Sequence, residues 1–201
     1  MIDYRKLWKG IKLLAFGVVL FYVLGIVYIL FGFNTKTTED ISYYRALSGE
    51  TDEPDTMPLL SEAVDVPCPY DLPLLSELEP CLGYRFNYTA KRESLFQSHA
   101  YILVVCYDAE AYALRKAAAE EMYTYLENID SDTPGEYRMS GFTIRAVEGG
   151  SYPHEMFFVA TSDTRQEIAY IYFDDQDLNA IDRPLGKFLA EETGWNEVIG
   201  S

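Results

Sequence analysis

Hydrophobic positions are spread unevenly along the chain. From Leu13 to Phe33 (LLAFGVVLFYVLGIVYILFGF) no residue is charged. As a helix, these 21 residues rise about 32 Å, against a bilayer hydrocarbon core of about 30 Å. The run predicts a membrane-spanning helix. It is longer than the apolar core of a cleaved signal peptide, about 7–15 residues, and the following FNTKTTED has no small-x-small cleavage pattern. A retained signal anchor is therefore expected. Trp8, Tyr28, Phe31 and Phe33 occupy the interfacial positions that aromatic rings favour. Gly17, Gly25 and Gly32 are not four apart, so no GxxxG helix-pairing seam is present.

The pattern changes beyond the run. Residues 34–80 hold six of the nine prolines and eleven acids against Lys36 and Arg45. Dense proline breaks regular structure and like charges extend a chain, so 34–81 reads as an acidic, proline-rich stalk. Gly49 to Thr56 would be its flexible part. Ile41, Tyr44 and Leu47 suggest a short helix over 40–47, and 59–82 is expected to pack on the C-terminal domain.

From residue 82 the periodicities sharpen. Tyr84, Phe86, Tyr88 and Ala90 alternate with Arg85, Asn87 and Thr89, predicting a half-buried strand. AYILVVCY (Ala100 to Tyr107) reads as a central strand covered on both faces. Asp108 is placed to cap a helix running to about Ile129, with Ala111, Leu114, Ala118, Met122, Tyr125 and Ile129 as its inward stripe. Strands are predicted at 137–147, 156–162 and 167–173, the last two joined as a hairpin through 163–166. A short helix is expected from Pro184 to before Gly194. The fold class is α+β: an N-terminal transmembrane helix, the stalk, and one domain at 82–201. Its elements run ββαβββα, with a mixed or antiparallel five-stranded sheet packed by one long and one short helix.

Charge adds a direction. Residues 1–33 carry four cations and one acid, leaving 12 cations and 31 acids, a net of −19, in the rest of the chain. Arg5, Lys6, Lys9 and Lys12 precede the span, so residues 1–12 should stay cytoplasmic, with 13–33 in the membrane and the body extracytoplasmic. A body this acidic is repelled by phosphate, which argues against a nucleic-acid partner. Expected partners are membrane lipid around 13–33 and another membrane or envelope protein. The 14 tyrosines beyond residue 33 suit a sheet with a half-exposed face or a contact surface.

Candidate chemistry is sparse. Export permits disulfides, and Cys68 with Cys81 would close a loop stabilising by about 3 kcal/mol in the chain-entropy model. Cys106 reads as a small core residue. His154-Glu155 opens a zincin pattern, but Phe158 stands where the second histidine belongs; His99 and His154 read as loop or strand-end residues. No GxSxG or Ser-x-x-Lys nucleophile motif occurs. Asp175, Asp177 and Asn179 alternate as oxygen donors do in the first half of a calcium loop, but Ala180 replaces the turn glycine and Gly186 the closing glutamate. They are weak calcium candidates, and no other cofactor is implied. Asn87-Tyr88-Thr89 is formally a glycosylation sequon, set inside a predicted strand. The function expected is a single-pass, membrane-anchored binding or assembly module with no recognisable catalytic motif. The alternatives are a tethered ligand sensor acting through a partner, or an anchored enzyme using the acidic loop Asp174–Asp177.

Overall fold

The computed structural model describes residues 4–31, 33–50, 73–93, 96–121, 137–146, 155–175 and 185–200. Helix α1 (Tyr4–Phe31) contains a 21-residue stretch, Trp8–Tyr28, that is long and apolar enough to cross a membrane and has every side chain exposed. It ends short of the predicted 33. One residue later the chain is already strand β1 (Phe33–Thr38).

The described strands form one seven-stranded, wholly antiparallel sheet, not five strands. After β1 come β2 (Gly83–Glu93), β3 (Phe96–Cys106), β4 (Tyr137–Met139), β5 (Phe142–Ala146), β6 (Glu155–Ser162) and β7 (Glu167–Asp175), ordered β1-β2-β3-β7-β6-β5-β4. Two differences from the sequence pattern account for the extra strands. Within the stretch read as stalk, β1 pairs along its whole length with β2, Phe33 opposite Glu93 through Thr38 opposite Tyr88. The single strand expected over 137–147 is a hairpin. Ser140 and Gly141 take φ of 52° and 81°, the pair of positive values that a tight two-residue turn requires.

Helices cover both faces. On one side lie α2 (Ile41–Leu47), α3 (Leu75–Leu78) and α4 (Ala109–Glu121). Tyr43, Tyr44, Leu47, Leu75, Leu78, Tyr112 and Ala119 from these helices pack on Phe86, Tyr88, Tyr101, Leu103, Tyr170 and Tyr172 of the sheet. On the other side α5 (Leu185–Glu192) and α6 (Trp195–Ile199) bury Leu185, Phe188, Leu189, Trp195, Val198 and Ile199 on Ile102, Val104, Phe158, Ile171 and Phe173. Phe173 meets Phe188 edge-on at 4.3 Å, and Phe142 meets Trp195 at 5.5 Å. The short helix after Gly194 has no apolar periodicity long enough to announce it.

The cap expected at Asp108 forms, and Asp40 caps α2 in the same way. Asp40 Oδ1 accepts from the Ser42 amide at 2.9 Å, and Asp108 Oδ1 from the Ala111 amide at 2.8 Å. The inward stripe of α4 differs from expectation: Leu114 is 72 % exposed, while Tyr112 and Ala119 are buried. Polar contacts set this rotation. The Tyr112 hydroxyl donates to Asp163 at 2.8 Å and Lys116 pairs with the same carboxylate at 2.7 Å, tying the helix to the β6–β7 turn. Met122, Tyr125 and Ile129, like residues 51–56 of the segment read from the sequence as a linker, lie outside the described residues.

Candidate functional site

The strand alternation of β2 sends Tyr84, Phe86 and Tyr88 to the α2–α4 face and Arg85, Asn87, Thr89 and Lys91 to the α5–α6 face. Register then builds an aromatic row across four strands: Tyr88 opposite Tyr101, Tyr101 opposite Tyr172, and Tyr172 opposite Phe157. Tyr101 and Tyr172 stack at 5.4 Å and 18°, and Tyr43 of α2 stacks on Tyr88 at 6.2 Å. The next row toward the α1 end of the sheet is Lys36, Ala90, His99, Asp174 and Glu155. His99 is thus no loop residue. It is buried (3 % exposed), with Nδ1 at 2.8 Å from the Tyr88 hydroxyl. Burial lowers the imidazole pKa and raises that of the Tyr88 phenol, so both are held neutral as a hydrogen-bonded pair.

The acidic calcium candidates meet the described structure in one place. Asp175 ends β7 with its backbone paired to Ser98, whereas Asp177 and Asn179 lie outside the described residues, as do Cys68 and His154. Among the described residues no three His, Cys, Asp or Glu side chains converge as a metal would need. Cys81 lies half-buried before β2 and packs against the tyrosine-rich face. Cys106 is half-buried, its thiol donating to Glu167 Oε1 at 3.4 Å, and Arg85 pairs with that oxygen at 2.8 Å. Burial first, then the Glu167 hydrogen bond, pushes the thiol pKa up, so Cys106 is a proton donor and not a thiolate.

A cleft of 420 Å³ opens between α2, α3 and the start of β2, lined by Arg45, Glu50, Leu75, Ser76, Glu79 and Tyr84. Its carboxylates are engaged. Glu50 accepts from the amide and hydroxyl of Ser76 at 2.9 and 3.2 Å; Glu79 accepts from the Tyr84 hydroxyl at 2.8 Å and the Cys81 amide at 3.0 Å. The Tyr84 bond is the largest cause holding the Glu79 carboxyl below its usual range. On the opposite face the polar side of β2 grips the C-terminal helices. Asn87, 4 % exposed, donates to the Thr193 carbonyl at 3.0 Å; Lys91 reaches Glu192 at 2.7 Å and the Glu191 carbonyl at 2.9 Å. The sequon asparagine is therefore enclosed in the folded chain.

The Tyr88–His99 pair and the cleft escaped the sequence pattern. A two-residue connection at 94–95 would have aligned Tyr88 with Tyr101 and brought His99 near; the cleft joins segments far apart in the chain. Comparison with protein-family models, curated proteins and solved structures finds no match in any of the three.

Proposed function

We propose that this chain is a single-pass, membrane-anchored binding or assembly module, its amino end cytoplasmic and its sheet domain presented on the extracytoplasmic side. The observation that carries the reading is α1: an apolar helix exposed on every described side chain, running within one residue into the edge strand of a folded sheet. Such a surface needs lipid around it. The four cations before it and the net −19 after it support the orientation. Burial holds the phenols of Tyr44, Tyr84, Tyr88 and Tyr107 well above their usual pKa, so these side chains stay neutral as part of the packed face.

Crosslinking in intact membranes, followed by solubilisation, capture on a C-terminal tag and mass spectrometry, tests the reading. One or two reproducible partners are expected, lost when residues 82–201 are removed. Recovery of the chain alone would overturn it. The cleft between α2, α3 and β2 favours a second reading, a tethered ligand sensor signalling through a partner; a ligand-dependent rise in melting temperature would mark it.

A further inference from the structure

We propose that the outer edge of β1 is a strand-addition site for an extended, positively charged segment of a partner protein. This rests on the membrane-anchored reading and deepens it by naming the surface and the partner's chemistry. Among the described residues β1 pairs with β2 alone and ends the sheet. Alternate residues of an edge strand point their amide and carbonyl groups away from the ladder, and proteins normally blunt such an edge with a short strand, a proline, a bulge or a lysine.

The two ends of this sheet are treated differently. At one end β4 has only three residues. At the other, β1 has six, contains no proline and keeps an unbroken register with β2; Lys36 is its one blunting device. Its last four residues, Thr35-Lys36-Thr37-Thr38, hold extended backbone largely through β-branched threonine and present polar side chains. Thr35 and Thr37 are exposed. An edge of this kind resists sticking by side chains while offering its main chain, the source of affinity in strand addition.

Charge selects the occupant. Lys36 is the single charge on β1 itself, but Glu39 and Asp40 follow the strand and the chain beyond residue 33 as a whole carries a net −19. A second copy brings the same excess of negative charge and is repelled, whereas a cationic segment is attracted and oriented.

The test uses the full chain in phosphatidylcholine nanodiscs and three synthetic decapeptides: alternating Lys-Val, alternating Glu-Val, and Lys-Val with every amide N-methylated. Amide hydrogen exchange is read along residues 33–38. The expected result is that Lys-Val slows exchange at alternate β1 amides by about tenfold or more, while the other two peptides change nothing there. Equal protection by the N-methylated peptide would show plain charge attraction and overturn the proposal. So would protection confined to other elements, or β1 amides already protected in a dimer without peptide. A partner recovered by crosslinking while β1 stays unprotected removes this proposal and leaves the anchored-module reading standing.

Discussion

Single side chains in this molecule do their work where polarity is enclosed. Asn87 is buried between the sheet and the α5–α6 layer, with its amide on the Thr193 carbonyl and on Thr89 Oγ1 at 3.1 Å. Asn87→Ala leaves that carbonyl enclosed without its donor and should cost about 1–3 kcal/mol, read as a lowered denaturation midpoint of the detergent-solubilised chain. His99 supplies a pH dependence. Folding holds its pKa below the ordinary value, which is about 6.5. Above that value both folded and unfolded states are neutral and stability is complete. As pH falls through it, the unfolded state takes the proton first, and stability declines until the folded value is reached, by up to about 1.4 kcal/mol per unit of pKa separation. His99→Gln should flatten the stability profile between about pH 7 and pH 5. An unchanged slope would place the dependence elsewhere.

At the scale of elements, polar contacts decide what apolar periodicity leaves open. Alternating or continuous apolar patterns made β2, β3, β6 and β7 readable because burial follows pattern in them, and α1 was readable from the length of its uncharged run alone. Strand β1 was not readable: Asn34 to Thr38 shows no apolar alternation, and its strand state comes from backbone pairing with β2. The α4 stripe misled for a related reason, since Asp163 anchors Tyr112 and Lys116 and turns Leu114 outward. Of the candidate sites, Asp175 was legible only as an acid near a strand end, and the cleft depends on Arg45, Glu50 and Glu79, charges that in sequence look like solvated spacer. The α5–α6 junction offers a sharp check. Gly194 has a φ of 71° and abuts the Asn87 amide. Gly194→Ala combines left-handed strain with a collision, so a loss of about 1–3 kcal/mol is expected. Thermal melts monitored by Trp195 fluorescence would measure it; a change within about 0.5 kcal/mol, the usual range for a neutral surface substitution, would show that the junction yields.

Among the described residues an exposed apolar helix leads almost directly into one edge of a sheet whose central strands are buried on both sides. The cores on the two faces draw on the same central strands, β3, β6 and β7, so layers from both ends of the chain share one support. One residue separates α1 from β1, so on the proposed anchored reading the membrane would fix where the sheet edge stands. We propose anchorage with the body outside. It is tested most directly by protease protection in sealed cells, with tags at both ends, paired with alkaline extraction of the membranes. The full-length chain should stay in the membrane pellet, added protease should remove the C-terminal tag, and the N-terminal tag should survive until the membrane is broken. A chain released by alkali, a mature form beginning after residue 31, or a C-terminal tag protected until lysis would contradict it.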